Sequence, residues 1–274
     1  MEKDIILFLG QSNMQGQTER LSESEPVENA TEYKFLTDQL VPLKNPVGES
    51  ITKDLKEGFN LESMDRLGEW LSLHALGRSS HGNTNMLPEF CRAYIKESGR
   101  SVVAVHAAKG STKIDFWSPN TDGYNAVVQK ALGAIKKVGK ENISGVYCVW
   151  LQGESDALSS TDTDEYLKRL IEIKNGLKRD VGLKKFGIIK VGAFACDGRD
   201  EAIFKAQERA CDIDEDFIML TRITKKLLAD EKFLNPNAFG HYGSYGQEVL
   251  GRSAGKNLAL ALAGREFDTE EMAL

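Results

Sequence analysis

The sequence is poor in several features that would place it in a specialised class of protein. It has only four cysteines in 274 residues, and no two of them form a C-x-x-C pair. No apolar run approaches the roughly eighteen residues needed to cross a bilayer. The formal net charge is −6, so the chain lacks the basic footprint of a general binder of nucleic acid or of anionic membranes. What remains is the composition of an ordinary globular protein.

The cysteines and the N-terminus both bear on the compartment. The cysteines are widely spaced and three lie in apolar segments, which favours buried free thiols over a disulfide framework or a zinc site. They are Cys91, Cys148, Cys196 and Cys211. The N-terminal MEKDIILFLG has one basic residue before its apolar stretch and no small-residue cleavage site after it, which indicates a first strand rather than a signal peptide. We therefore predict a cytoplasmic protein, consistent with reduced thiols.

Short apolar runs alternate with amphipathic patterns along most of the chain. Five runs, nearly continuous in apolar character, predict strands that are covered on both faces. They are Ile5–Leu9, Val102–Ala107, Val146–Leu151, Phe186–Val191 and Phe217–Leu220. Helical patterns cover Met86–Glu97, Tyr124–Val138, a helix that begins at Asp162, Arg199–Cys211 and Tyr245–Leu262. This alternation predicts one domain over residues 1–274, a three-layer α/β/α sandwich with a central parallel five-stranded sheet.

One long stretch does not follow the alternation. Gln17–Gly82 is polar, contains several Gly, Pro and Asn residues and shows only weak periodicity. A stretch of this length without clear elements is typical of a functional loop or of a partly ordered insertion. Because it directly follows Ser12, we expect it to wall one side of whatever Ser12 faces.

Chemically active residue types follow three of the predicted strands. Gly10-Gln11-Ser12-Asn13-Met14 follows the first strand, Ala108-Lys109-Gly110-Ser111-Thr112 the second and Gln152-Gly153-Glu154-Ser155-Asp156 the third. Phe239-Gly240-His241-Tyr242 precedes the last helix. Ligands of parallel α/β sheets lie beyond the carboxyl ends of the strands. A serine, an exposed glycine amide, a side-chain amide and a histidine at one edge are the groups that acyl transfer needs.

Each of these residues also has a structural interpretation. Ser12 alone is more often a helix N-cap or a turn residue, and Gly110 a turn residue. Gln152 and Glu154 could form a polar loop that caps a helix, and His241 could be a packed ring. His74, His81 and His106 compete for the role of base, although His106 lies in a predicted strand. The shared position at the strand ends favours the catalytic interpretation.

The motifs together resemble a known family. GQSNMQG at 10–16, KGST at 109–112, WLQGESD at 150–156 and a late histidine resemble the SGNH/GDSL-type hydrolases. The most similar branch is that of the sialate O-acetylesterase-like and acetylxylan-esterase-like carbohydrate esterases. The resemblance runs in order from Phe8 to about Gly251. It implies a flavodoxin-like fold and removal of acetyl or other small acyl groups from carbohydrate hydroxyls through an acyl-enzyme.

The resemblance also implies a role for each matching residue. Ser12 would be the nucleophile and His241 the general base. The oxyanion hole would consist of the backbone N–H groups of Ser12 and Gly110 and the Gln152 amide. No metal or cofactor is implied. Gln11, Asn13, Lys109 and Trp117 are expected substrate contacts, although Trp117 could equally pack beneath the site, and Arg78 and Lys109 could simply be solvated.

The sequence departs from the family at one position. The family carries an aspartate three residues before the histidine, and here that residue is Ala238. Three alternatives follow: Glu154 substitutes as the acid, a backbone carbonyl or water holds the imidazole, or the chain is a weak or non-catalytic carbohydrate-binding relative. A phosphate-binding function is disfavoured because neither G-x-x-x-x-G-K-[ST] nor G-x-G-x-x-G occurs at a strand–helix junction. The expected partner is a small-molecule or oligosaccharide acetyl ester, with homo-oligomerisation left open.

Overall fold

The computed structural model of the protein describes residues 3–21, 23–49 and 82–274. These residues form seven β-strands and eight α-helices. The strands are β1 Lys3–Gly10, β2 Ala30–Lys34, β3 Gln39–Pro42, β4 Ser101–Ala108, β5 Ile143–Leu151, β6 Leu183–Ile189 and β7 Phe217–Thr221. The helices are α1 Ser12–Gln15, α2 Leu87–Ser98, α3 Asp122–Val138, α4 Glu154–Leu158, α5 Thr163–Val181, α6 Asp200–Ile213, α7 Thr224–Leu228 and α8 Ser244–Leu262.

The strands form one mostly parallel sheet in the order β3-β2-β4-β1-β5-β6-β7. Only the β2–β3 pair is antiparallel. The predicted α/β architecture is confirmed, and each of the five predicted strands is present as β1, β4, β5, β6 or β7. Because these strands are parallel, the segments that follow them all emerge at the same edge of the sheet, with β1 in the middle.

The sheet has two more strands than the five predicted, and both lie in the stretch expected to be irregular. β2 pairs with β4 through only three residues, and β3 pairs with β2 at the edge of the sheet. Their sequences, ATEYK and QLVP, are too short and too mixed in polarity to give a clear period of two. Residues 50–81 of that stretch, including His74, Arg78 and His81, lie outside the described residues.

Alternating side chains of the central strands feed two separate hydrophobic layers. Ile5 and Leu7 of β1 point to the face covered by α3, α5 and α6, whereas Ile6 and Phe8 point to the face covered by α2 and α8. Helix α5 begins where the sequence predicted, because Asp162 Oδ1 accepts hydrogen bonds from the N–H groups of Asp164 and Glu165, both at 2.9 Å. The result is the expected three-layer sandwich.

A group of buried charges fixes β2 and the chain after β3 against the sheet. We call Glu32, Lys34, Glu49 and Lys130 the ionic cluster. Lys130 Nζ lies 2.5 Å from Glu49 Oε2 and donates to the carbonyl of His106 at 2.6 Å. Lys34 Nζ lies 2.9 Å from Glu32 Oε2. Two cations and two carboxylates therefore balance one another inside the protein.

Two further sequence expectations can be compared with the structure. All four cysteines are free, and Cys91 and Cys148 are buried as expected, but Cys196 is exposed because it lies in the loop after β6 rather than within a strand. Within residues 3–21, 23–49 and 82–274, no helix has the length and apolar content to cross a bilayer.

Candidate active site

Ser12 is held at the carboxyl end of β1 by a turn that requires glycine. Gly10 has a φ of +148°, and a Cβ there would lie 1.9 Å from the carbonyl oxygen of Leu151. The chain can therefore pass close to the end of β5 only without a side chain at this position. Ser12 then begins the one-turn helix α1, whose end is set by the left-handed Gly16. The N–H of Ser12 belongs to the first turn, where helical N–H groups have no intrahelical partner.

The hydroxyl of Ser12 meets the imidazole of His241. The distance between Ser12 Oγ and His241 Nε2 is 2.9 Å, although the two residues are 229 positions apart. On the other side of the ring, His241 Nδ1 lies 2.8 Å from the carbonyl oxygen of Phe239. A carbonyl can only accept, so Nδ1 carries the proton and Nε2 keeps its lone pair for the Ser12 hydroxyl. The geometry is that of a nucleophile and its general base.

The loop that carries the imidazole, residues 235–241, is held at both ends. We call it the His241 loop. Asn235 N–H donates to the carbonyl of His241 at 2.8 Å, which closes the loop on itself. Gly240 has a φ of +68°, and a Cβ there would lie 2.3 Å from the Phe194 ring. Phe194 also lies edge-on to the imidazole, with ring centroids 6.1 Å apart.

Asn13, the residue after the nucleophile, ties the His241 loop to α1. Its Nδ2 donates to the carbonyl of Gly240 at 3.2 Å, and its Oδ1 accepts from the N–H of Tyr242 at 3.2 Å. These two bonds bracket His241 along the backbone. Asn13 is only 2% exposed, so its side chain holds the His241 loop in place. This corrects the expectation that Asn13 contacts substrate.

The structure does not bring Glu154 to the imidazole. Glu154 Oε1 accepts a 2.9 Å hydrogen bond from Asn13 Nδ2, and the side chain is buried. Burial raises the pKa of this carboxyl to about 7, and the nearby Asp156 adds to the shift while the Asn13 hydrogen bond opposes it. This corrects the expectation that Glu154 is the acid partner of His241. Of the three alternatives for the missing aspartate, the structure agrees with the one in which a backbone carbonyl, that of Phe239, holds the imidazole.

Gln152 is also misplaced for its expected role as an oxyanion donor. The residue has no exposed surface, and its Nε2 lies 2.6 Å from Asp156 Oδ2 and 2.9 Å from the Thr112 carbonyl. Its Oε1 accepts from the Tyr166 hydroxyl at 2.9 Å. The amide hydrogens are therefore used inside the protein. Sequence position placed Gln152 at the correct sheet edge, but the side chain points into the core and links β5 to neighbouring elements.

Gly110 does lie beside the nucleophile. A Cβ at this position would be 3.6 Å from Ser12 Cβ. Its N–H donates at present to the side chain of Gln15, with 3.1 Å between Gly110 N and Gln15 Oε1. The two backbone donors expected from the sequence therefore belong to residues that meet at the site.

The remaining expected substrate contacts divide into buried and accessible residues. Trp117 is 1% exposed, donates to Thr112 Oγ1 at 3.1 Å and packs edge-on against Trp150, so it cannot stack on a sugar. Gln11 is 3% exposed among the polar side chains beneath Ser12. Lys109 is half-buried, with its ammonium 5.9 Å from the centre of the Phe116 ring, and stays a predicted substrate contact.

Two aromatic residues at the site were not singled out from the sequence. Phe239 is 74% exposed immediately before Gly240 and His241, and its ring lies 5.8 Å from that of Phe194. A cavity of about 710 Å³ adjoins them and is lined in part by Cys196, Lys225, Ala238 and Phe239. Phe239 could have been found from the sequence, because it lies in the run Ala238–His241 beside the candidate base. Phe194 could be found only from the position of the loop after β6 in the structure.

The groups that meet at Ser12 are the backbone N–H groups of Ser12 and Gly110 and the imidazole of His241. That set can activate a hydroxyl and stabilise an oxyanion. Among the described residues, no three His, Cys, Asp or Glu side chains are grouped so that they could hold a metal ion.

Comparisons with known proteins bear on the family and on the fold. The family model for carbohydrate esterases described as sialic acid-specific acetylesterases matches residues 2–258. Comparison of the sequence with curated proteins gives no significant match. A solved structure from Arabidopsis thaliana is similar with a TM-score of 0.66 and 16% identity, covering 95% of this chain and 99% of that one.

Two other solved structures share the fold. The structure of NanS has a TM-score of 0.65 and 13% identity, with 96% of this chain and 98% of that chain covered. A carbohydrate acetylesterase from Xanthomonas citri has a TM-score of 0.51 and 16% identity, with 94% of this chain and 55% of that chain covered.

Proposed function

The chain belongs to the carbohydrate esterase family of sialic acid-specific acetylesterases, and from this premise we propose that it is a serine esterase that removes acetyl groups from carbohydrate hydroxyls. The observation that carries the proposal is the 2.9 Å contact between Ser12 Oγ and His241 Nε2. A hydroxyl and an imidazole so far apart in sequence meet at the sheet edge where parallel α/β proteins bind their ligands. That contact supports a nucleophile and base rather than a helix cap.

The first chemical step forms the acyl-enzyme. Ser12 Oγ attacks the ester carbonyl carbon while its proton moves to His241 Nε2. The carbonyl electron pair moves onto oxygen, and in this proposal the backbone N–H groups of Ser12 and Gly110 stabilise that oxyanion, with the Gly110 N–H leaving its hydrogen bond to Gln15 Oε1. When the intermediate collapses, the bond to the sugar oxygen breaks. His241 returns its proton to that oxygen, so the sugar leaves as an alcohol.

The second step releases acetate. Water takes the place of the sugar, gives its proton to His241 Nε2 and attacks the acyl carbon. Collapse of the second intermediate returns the proton to Ser12 Oγ and frees acetic acid, which ionises in water. No oxidant, reductant or metal enters the balance of either step.

The base operates without a carboxylate partner. In a serine protease triad, replacing that carboxylate by a neutral amide costs on the order of 10⁴ in turnover, largely because the imidazole then takes the wrong tautomer. Here the Phe239 carbonyl accepts from Nδ1 and keeps the correct tautomer. It lacks the full charge that would stabilise an imidazolium. We therefore expect an active dyad whose turnover is lower than that of a complete triad.

An exposed aromatic ring beside the base supports a carbohydrate substrate. Phe239 offers an apolar face of the kind that packs against a sugar ring. The cavity of about 710 Å³ beside the His241 loop shares Ala193, Lys225 and Ala229 with a second cavity of about 1060 Å³ near the ends of β6 and β7, but neither cavity is lined by Ser12 or His241. Lys109 remains a proposed polar contact.

The decisive experiment combines covalent labelling with hydrolysis. The protein is treated with a fluorophosphonate, and the modified residue is found by mass spectrometry. Release of product from an aryl acetate and from an acetylated sugar is then measured for the parent, Ser12→Ala and His241→Ala. We expect label on Ser12 and a loss of activity on the order of 10⁶ in either variant. The exposed Ser159→Ala is the matched control and should behave like the parent.

The same experiment identifies the alternative. A folded parent that takes no label at Ser12 and releases no acetate would contradict the proposal. Retained binding of an acetylated sugar in that case would indicate a non-catalytic carbohydrate-binding relative.

A further inference from the structure

The space in front of Gly110 is where the polar side chains next to Ser12 converge. A Cβ at residue 110 would lie 3.0 Å from Gln17 Nε2, 3.3 Å from Gln15 Oε1 and 3.6 Å from Ser12 Cβ. The two amide contacts are tighter than ordinary van der Waals contact, so a side chain at residue 110 would push the ends of Gln15 and Gln17 aside by a few tenths of an ångström. With glycine there, the β-carbon of Ser12, an amide donor and an amide acceptor border the same small volume.

The backbone of Gln17 is fixed to both halves of the candidate active site. Its N–H donates to the carbonyl of Ser12 at 3.3 Å, and its own carbonyl accepts from Asn235 Nδ2 at 2.8 Å. Gly16, with a φ of +89°, reverses the chain between α1 and Gln17. Residue 17 is thereby returned to the side of Ser12 on which Gly110 lies.

The side-chain amide of Gln17 remains uncommitted. It forms no hydrogen bond with any residue in the described part of the chain, in contrast to the fully used amide of Gln152. Its Nε2 nevertheless lies 3.0 Å from the point that a Cβ of residue 110 would occupy, and that point is 3.6 Å from Ser12 Cβ. A donor that faces a reacting position without an internal partner is available to the substrate.

The neighbouring Gln15 shows that an oxygen atom fits beside the Gly110 N–H. Its Oε1 receives the N–H of Gly110, so an amide oxygen already occupies the place of an acceptor beside the nucleophile. An ester oxygen that becomes negatively charged is a stronger acceptor than this neutral amide, because hydrogen bonds to charged acceptors are roughly twice as strong. The Gly110 N–H is therefore most readily transferred from Gln15 Oε1 to the substrate oxygen once that oxygen has become an oxyanion.

We propose that Gln17 is the third oxyanion donor of this enzyme: its Nε2–H binds the oxyanion together with the N–H groups of Ser12 and Gly110, in the role expected of Gln152. The inference rests on the proposed esterase function and assigns it a further catalytic residue. The Gln17 amide is exposed in the free protein and contacts the reacting oxygen once substrate is bound. Its contribution should be larger in the transition state than in the ground state, which raises kcat rather than lowering KM.

Kinetics of three variants test the assignment. Gln17→Met keeps the length of the side chain without donors, and Gln17→Glu keeps its shape but offers only acceptors. Gln129→Ala is the matched control, since Gln129 is an exposed glutamine on α3 away from the site. We expect kcat/KM for an aryl acetate to fall about 10²–10³-fold in both Gln17 variants, mainly through kcat. Gln129→Ala should match the parent, and the thermal midpoint of all variants should stay within a few degrees of it.

A second readout distinguishes the oxyanion from the rest of the substrate. A small alkyl boronic acid forms a tetrahedral adduct with the serine and imitates the oxyanion. Its inhibition constant should rise in Gln17→Met by a factor similar to the fall in kcat/KM. A change confined to KM with unaltered boronic-acid affinity would overturn the inference, as would parent-like kcat/KM in Gln17→Met. A parent without activity or Ser12 labelling would overturn the esterase function itself and the inference with it.

Discussion

The protein buries two polar clusters that handle charge in opposite ways. The ionic cluster beside β2 pairs two carboxylates with two ammonium groups, and Lys130 and Glu49 are 2% and 0% exposed. The cluster beneath Ser12 contains Glu154 and Asp156 and pairs them only with amides, hydroxyls and backbone N–H groups. Within the described residues, no lysine or arginine lies within 4.0 Å of either carboxyl. Burial consequently raises the pKa of both.

The contrast follows from what each cluster must support. A buried ion pair is stable only while both partners remain, so the ionic cluster acts as a fixed clamp on the chain around β2 and β3. A cation placed near His241 would oppose protonation of the imidazole, which the proposed reaction requires. Neutral hydrogen-bonding partners avoid that conflict and still fix Asn13, and through it the His241 loop. The following predictions test this division.

The largest effect is expected in the ionic cluster. Lys130→Ala leaves the carboxylate of Glu49 buried without its cation, and we expect the free energy of unfolding to fall by about 3–5 kcal/mol. Chemical denaturation measures the change. The matched control is Lys178→Ala, whose ammonium lies 2.6 Å from Asp216 Oδ2 but is largely exposed; loss of such a surface pair should lower the free energy of unfolding far less. Equal losses in the two variants would contradict the clamp.

Glu154 should make stability decrease as pH rises toward neutrality. Its pKa is about 7 in the folded protein against an ordinary value of 4.5, so between these values the folded state binds more protons than the unfolded state. The stabilisation is complete below pH 4.5 and is lost as pH rises through about 7, a change of about 3 kcal/mol. Unfolding free energies measured from pH 4 to 8 should show this decrease in the parent and not in Glu154→Gln. The same slope in both proteins would contradict it.

The same variant tests the dyad. Because Glu154 contacts Asn13 and not His241, the amide in Glu154→Gln can still accept the Asn13 hydrogen bond. We expect kcat for an aryl acetate within about tenfold of the parent at the pH optimum. A loss near 10⁴-fold would instead give Glu154 the part of a triad carboxylate.

The smallest effect is expected at Trp117. Trp117→Phe removes one buried hydrogen bond to Thr112 and part of the contact with Trp150, which should lower the free energy of unfolding by about 1–2 kcal/mol. KM for an acetylated sugar should not change, because the ring is buried. Phe239→Ala, at an exposed position, is the comparison variant. A rise in KM with Trp117→Phe and none with Phe239→Ala would reverse the assignment.

Several parts of the fold and the site were predictable because they depend on local patterns. The apolar runs of β1, β4, β5, β6 and β7 predicted a parallel sheet. Because Ser12, Gly110 and Gln152 directly follow three of these strands, a parallel sheet places them at one edge for any loop conformation. The contact between Ser12 and His241 was predicted from the motifs together with the family resemblance. β2 and β3 were missed because short strands of mixed polarity carry little periodicity.

The direction of each side chain was not predictable in the same way. Gln152, Glu154 and Trp117 all occupy the expected segments, yet each side chain is buried in the interior. The order of residues in a segment does not show which of them will face the solvent once the segment has packed. Gln17, the residue directly after the motif, turns toward Gly110 only because Gly16 reverses the chain.

By itself, the sequence determined the layered architecture, the candidate nucleophile and the absence of an aspartate three residues before His241. Hydrophobic periodicity and the order of the motifs are properties of the chain alone, so they can be read without coordinates. Only the tertiary structure decided that the Phe239 carbonyl holds the imidazole, that Gln152 is consumed in the core and that Gln17 faces the empty position at Gly110. These outcomes depend on contacts between residues as many as 229 positions apart, and such contacts exist only once the sheet has assembled.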